Sequence, residues 1–176
     1  FFIVGLFIMV KGLEHIGVIN LLSSSLYSVI KSDIFFGVLI VLWSVGIMSG
    51  FLDNIALTLV FIPILQEIIG YFGPLGYLFW IALILGTNIG GDLTPFGSPT
   101  SLVALGYMKD RGFKINFREF FKISLSTGII NLSLASIYLT AIFYIGSGYS
   151  AALFLILALS LVALLFMKSY SKYKGL

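Results

Sequence analysis

Thr87-Asn88-Ile89-Gly90-Gly91-Asp92-Leu93-Thr94-Pro95-Phe96-Gly97-Ser98-Pro99-Thr100-Ser101 interrupts an apolar run that starts at Tyr77 and resumes at Leu102. The reading of this stretch decides the fold. Neither flanking arm, 77–88 or 102–108, reaches the roughly 20 residues a full membrane crossing needs. Joined across the break they do, so 77–108 reads as one interrupted helix. A plain kink needs a single proline. Here Gly86, Gly90, Gly91 and Gly97 accompany Pro95, Pro99 and a series of polar side chains. Glycine permits close backbone approach, and proline removes a donor and stops a helix. Freed carbonyls, with Asp92, Thr94 and Ser98, could coordinate Na⁺ or couple to a proton. The helix start near Thr100 could face an anion.

A second break lies upstream. Residues 34–50 and 55–68 are apolar arms, the second containing Pro63, and Phe51-Leu52-Asp53-Asn54 joins them. In a single crossing, Asp53-Asn54 would sit at membrane depth. A re-entrant hairpin with its tip at Ser49 to Asn54 is the better reading, because irregular backbone is tolerated there only when buried or lining a wet cavity. Asp53 and Asn54 are also good N-caps, and capping of the helix from Ile55 is the plainer role for the pair. A carboxylate within a spanning segment is costly, so Asp53 and Asp92 are functional candidates by default.

The remaining segments fit a membrane frame. Of 176 residues, 60% are hydrophobic and 10% charged, and the mean hydropathy is +1.14. A soluble domain has about 25% charged residues and could not hide this much apolar surface. A cytosolic enzyme, a nucleic-acid binder and a disordered tail are excluded. The absence of cysteine and the single histidine, His15, remove disulfides, thiolate metal sites and thiol nucleophiles. Along a single domain, 1–11 reads as the end of a spanning helix, 12–33 as an interfacial connector, 34–68 as the hairpin and 77–108 as the interrupted helix. Residues 119–145 and 149–167 read as spanning helices. Ser126, Ser133, Ser136 and Thr140 share one face of the first of these, expected to be a packing face. The start inside an apolar run suggests a fragment of a longer chain.

Charge sets the expected orientation. The net charge is +3. Lys109, Arg111, Lys114, Arg118 and Lys122 form one basic stretch, and Lys168, Lys172 and Lys174 another. Two spans separate them, so they share a side, and the positive-inside rule makes it the cytoplasm. The C-terminus is then cytoplasmic, the 69–76 turn is outside, and the hairpin enters from outside. Glu14, His15 and Glu67 are expected at interfaces.

A hairpin tip and a broken helix, each ending near mid-membrane, can meet at one site, as in secondary transporters with inverted repeats. The fold expected is therefore an all-α membrane protein with one re-entrant hairpin and one interrupted helix, half of such a transporter. The site is expected on Asp53, Asn54, Thr87, Asn88, Gly91, Asp92, Thr94, Pro95, Gly97, Ser98, Pro99 and Thr100. No catalytic residue or resident cofactor is expected. Na⁺ or H⁺ would be the coupling ion, with Na⁺ near Asp53, Asn54, Thr94 and Ser98. Two other readings stand beside this one: an intramembrane aspartyl protease using Asp53 and Asp92, and an ion channel. The protease motifs fail, since Leu52 precedes Asp53 and Ile89-Gly90-Gly91 precedes Asp92.

These residues resemble the C-terminal half of the ion transporter superfamily. It includes arsenite permeases, D-type sodium/proton antiporters, the melanosomal P protein and citrate or dicarboxylate carriers. Gly5-Leu6-Phe7 through Gly12-Leu13-Glu14-His15-Ile16-Gly17-Val18 resembles a stretch of the arsenite and P-protein branch. Asp53-Asn54-Ile55-Ala56 through Ile62-Pro63 is similar to the family's outer hairpin tip. Gly90-Gly91-Asp92-Leu93-Thr94-Pro95-Phe96-Gly97-Ser98 is similar to the arsenite permease break. Gly112-Phe113 to Phe120-Phe121 resembles the family's basic loop. The resemblance covers nearly the whole chain. It implies substrate and sodium held at hairpin tips and broken helices, here at Asp53, Asn54, Thr94, Pro95, Ser98 and Pro99. Ala56 stands where the family has proline, and Thr100-Ser101 where dicarboxylate carriers have Pro-Asn, which points away from dicarboxylate specificity. The implied function is an ion-coupled antiporter or anion permease of the arsenite, citrate or Na⁺/H⁺ type in a prokaryotic plasma membrane. Its partners would be lipid, a small ion or anion, the N-terminal half of the same transporter and a second copy in a homodimer, with no nucleic acid.

Overall fold

The structure is a computed structural model that describes residues 1–95, 97–112 and 116–146. The expected span 149–167 and the basic tail lie outside these residues. Every regular element described is helical. They are α1 (Phe2–His15), α2 (Val18–Ile30), α3 (Ile34–Ser49), α4 (Asn54–Ile69), a 3₁₀ segment (Gly70–Gly76), α5 (Tyr77–Gly91), α6 (Pro99–Asp110) and α7 (Phe117–Ile145). The chain divides into the units Phe1–Ser136 and Ile137–Leu176, and both breaks belong to the first.

α1 runs past Lys11 to His15, four residues beyond the expected end of the first spanning helix. Lys11 Nζ meets Glu14 Oε2 at 2.7 Å one turn on, so its charge has a partner on the helix itself. The expected connector 12–33 holds the last turn of α1 and all of α2, bent by 72° from α1. Gly17 makes the corner at φ 79°, a left-handed conformation that side chains with a Cβ avoid. α2 is more than an interfacial strap, for Ile19, Ser23 and Ile30 are buried.

The centre of the unit is α3 against α5. Along α3 the buried residues are Gly37, Val38, Val41, Leu42, Val45, Gly46 and Ser49. Along α5 they are Leu78, Phe79, Ala82, Leu83, Gly86, Thr87, Gly90 and Gly91. Both sets follow the 3.6-residue period of one helix face. The backbones nearly touch. A Cβ on Gly86 would lie 2.8 Å from the Leu42 carbonyl oxygen, and one on Gly90 would run into the Gly46 carbonyl oxygen. Small residues four apart allow such approach between membrane helices, where packing rather than water drives association. Leu42 faces Gly86 and Gly46 faces Gly90, so α3 and α5 run parallel.

α4 runs the other way. The Asn54 Cβ is 3.8 Å from a Cβ placed on Gly91, so the start of α4 lies beside the end of α5. The stretch Asn54–Gly91 is apolar and 38 residues long. It folds back at Gly73, whose φ of 55° and ψ of −137° break the 3₁₀ segment beside Pro74. α3 has 16 residues, about 24 Å of helix, short of a hydrocarbon core of about 30 Å. A short arm that turns back suits a re-entrant hairpin.

α7 closes one side. Leu132 sits against Gly46, a Cβ on Gly128 would collide with Leu93, and Trp43 Nε1 donates to Ser136 Oγ at 3.0 Å. The packing face thus runs through Gly128, Leu132, Ala135 and Ser136, and of the expected serine row it takes in Ser136. Ser126 and Ser133 are exposed, and each hydroxyl donates to its own helix, to Lys122 and Ile129 carbonyls. A back-bonded serine satisfies itself and can face lipid. Large exposed apolar side chains such as Val103, Ile84 and Ile123 are ordinary when the solvent is hydrocarbon.

Candidate functional site

Four helix ends converge where the two breaks meet: the C-termini of α3 and α5, and the N-termini of α4 and α6. The α3 end is tied to α5 by Ser49, fully buried, whose Oγ donates to the Thr87 carbonyl at 2.7 Å. The tip is tied to the break by Thr94, whose hydroxyl donates to the Gly50 carbonyl across a short bond. Gly97 fits where nothing larger could. A Cβ there would lie 2.6 Å from the Gly91 carbonyl oxygen and 2.8 Å from that of Ser49. Leu93 plugs the junction beneath, packed on Gly50 and Gly128.

The two helix starts are capped differently. Asp53 Oδ1 accepts from the Ile55 and Ala56 N–H groups at 2.9 and 3.1 Å. Ser98 Oγ accepts from Ser101 N–H at 3.2 Å, and Pro99 occupies the first turn of α6. An ionised cap offsets the positive dipole end of α4, whereas a hydroxyl leaves that of α6 in place. Asp92 lies at the C-terminal end of α5, beside carbonyls that already carry negative partial charge. That end attracts a cation, and the α6 end attracts an anion.

The fold thus brings Asn54, Gly91, Thr94, Gly97 and Ser98 to one junction, with Thr87 behind it. Pro95 is buried within the break. Asn88 is exposed and its amide donates to the Ile84 carbonyl of its own helix at 2.7 Å, so it points away from the junction. Asp92, Pro99 and Thr100 are exposed at the rim. Asp53 also borders a separate apolar cavity of 560 Å³ between α2, α3 and α4. Ser49 and Leu93 were expected in the tip and the break, but the sequence alone named no partner for either and did not bring Gly46 or Gly128 into this assembly. The spacing of Gly86 and Gly90 carried a readable signal for the close helix contact; the others have partners too distant in sequence to infer. Among the described residues no group of three or more His, Cys, Asp or Glu side chains could hold a metal.

Comparison with known proteins adds a lineage. Residues 1–174 match the family described as "Citrate transporter". An uncharacterized transporter of Mycobacterium bovis is 33% identical over 140 residues, covering 78% of this chain and 33% of the relative. An uncharacterized transporter of Synechocystis sp. is 27% identical over 163 residues, covering 84% of this chain and 36% of the relative. The P protein of Sus scrofa is 28% identical over 149 residues, covering 78% and 17%. The chain spans about a third of the length of the first two relatives. No solved structure matches it.

Proposed function

The chain belongs to the citrate transporter family, and from that premise we propose that it forms half of the transport site of an ion-coupled secondary transporter. Family and apolar helices together make it an integral membrane protein. In this reading the protein moves an inorganic or carboxylate anion, or exchanges Na⁺ for H⁺, by alternating access, and performs no covalent chemistry. The observation that carries the reading is the join of hairpin tip to broken helix through Thr94 and the Gly50 carbonyl. That join presents helix ends of both signs to one place, which suits an anion and a coupling cation together.

Each residue then has a role. The N-terminus of α6, with Ser98 and Thr100, receives the anion. The carbonyls of Ser49 and Gly91, with Asn54 and Asp92 nearby, receive Na⁺ or pass a proton. Asp53 holds the start of α4 in place. An aspartyl protease would need Asp53 and Asp92 to share a proton; instead Asp53 Oδ1 is committed to two backbone N–H groups. The basic stretch from Lys109 to Lys122 faces the cytoplasm of a prokaryotic cell, as does the C-terminus, and Gly70–Gly76 faces outside. The N-terminal half of the same transporter would complete the site, and a homodimer would be the assembly.

The test is flux into proteoliposomes of the full-length protein, with arsenite, di- and tricarboxylates and Na⁺/H⁺ exchange measured in parallel. Asn54→Ala and Asp92→Asn should each lower transport about tenfold, the equivalent of roughly 1.4 kcal/mol, with membrane abundance unchanged. Wild-type flux in both variants would sink the site assignment. Flux that ignores Na⁺ and proton gradients would favour a channel instead.

A further inference from the structure

The opposite end of α4 carries a second polar concavity, about 20 Å along the helix from the tip. Asn20, Ser23, Ser24, Tyr27, Glu67 and Tyr71 line a cavity of 290 Å³ there. Its lining mixes groups that both donate and accept, on Asn20, Tyr27 and Tyr71, with two serine hydroxyls and the carboxylate of Glu67. Ser23 Oγ already donates to the Ile19 carbonyl at 2.9 Å, with Ile64 O at 3.4 Å, and Ser24 Oγ donates to Leu21 O at 3.0 Å. Their hydrogens point into the protein and only lone pairs are left for a guest. A carboxylate such as that of Glu67 accepts and does not donate. Lys, Arg and His are absent from the lining, and among the described residues the one ion pair is Lys11–Glu14. Tyr27 lines the same cavity as this carboxylate. Its ring centroid is 4.7 Å from that of Tyr71 and 6.1 Å from that of Phe72.

We propose that this cavity binds a primary ammonium group. An ammonium has three donors and no acceptor, the complement of a carboxylate with two hydroxyl lone pairs. Tyrosine faces add cation–π attraction, worth about 0.5–1 kcal/mol at exposed sites. Tyrosines of this kind concentrate at the level of lipid headgroups. The ammonium could therefore belong to an ethanolamine phospholipid or to a free amine, and the chemistry at Glu67 is the same for both. The site lies apart from the junction of the two breaks, so it stands whatever the transported substrate proves to be.

Native mass spectrometry of the full-length protein in detergent tests this. Phosphatidylethanolamine, phosphatidylglycerol and N-acetylated phosphatidylethanolamine are offered at equal concentration, and thermal unfolding is followed with free ethanolamine against equimolar NaCl. Glu67→Gln and Tyr71→Leu are run beside the wild type. Both side chains are exposed, and size-exclusion elution confirms that the variants fold. Retention of phosphatidylethanolamine over the other two lipids, cut about fivefold or more by Glu67→Gln and less by Tyr71→Leu, supports a lipid headgroup. A thermal shift with ethanolamine that Glu67→Gln abolishes, without selective lipid retention, supports a free amine. Equal behaviour of wild type and Glu67→Gln in both assays overturns the proposal.

Discussion

The hairpin tip and the broken helix solve the same problem in opposite ways. Each must end one helix and begin another inside a hydrophobic unit. The tip does it in four residues, Gly50 to Asp53, and begins α4 with a carboxylate cap. The break takes seven, Asp92 to Ser98, and begins α6 with a hydroxyl cap and Pro99. A short link needs a strong cap, because few groups are available to satisfy the new helix start. At the break Pro99 opens α6 without an N–H of its own, so that helix start has one donor fewer to satisfy and can stay partly positive under a hydroxyl cap. The tip is thereby the electrically quieter of the two, and the break the one prepared for an anion.

The largest expected effect comes from separating the two. Gly90→Ala would push a methyl into the Gly46 carbonyl and within 2.8 Å of Ser49 Cβ. Overpacking of this kind costs about 1–3 kcal/mol or more, read as a drop in the thermal midpoint of the purified full-length protein. Gly106→Ala on α6, with open space around it, is the control and should stabilise by up to about 1 kcal/mol. Equal effects of the two changes would mean that α3 and α5 do not touch at Gly90.

The caps come next. Asp53→Ala and Ser98→Ala should each lose about 0.5–2 kcal/mol, with Asp53→Ala the more costly because a charged acceptor holds two N–H groups there. Asp53→Asn should keep most of the stability, since asparagine also caps, and so isolates the charge. Equal losses for the two alanine variants would erase the contrast between tip and break. The smallest effect belongs to Ala56→Pro. It removes the N–H that donates to Asp53 at 3.1 Å and leaves that of Ile55. A loss of about 0.5–1.5 kcal/mol is expected; a gain would show that the second bond matters less than the rigidity of proline.

The breaks were legible because they depend on residue types that act locally. Asp53-Asn54 between apolar arms, and glycine with proline around Asp92, stop helices wherever they stand. The partners were not legible. Ser49 reaches Thr87 and Thr94 reaches Gly50 across 38 and 44 residues, and no local pattern encodes such a pairing. Polarity also misled where a side chain bonds to its own helix. Asn88, Ser126 and Ser133 each donate to the carbonyl four residues back. In each, one donor is already spent on the helix itself.

The glycine contact between α3 and α5 bears on how this chain can vary over generations. A contact between ordinary side chains can drift, because a gain in volume on one side is matched by a loss on the other. Gly86 and Gly90 leave no volume to trade, since the nearest opposing atoms are main chain. Their tolerance to substitution should be nearly nil, whereas the exposed positions on the same two helices, such as Ile47 and Ile84, should accept almost any apolar residue. A saturation library selected for surface expression would show that contrast one helical turn at a time.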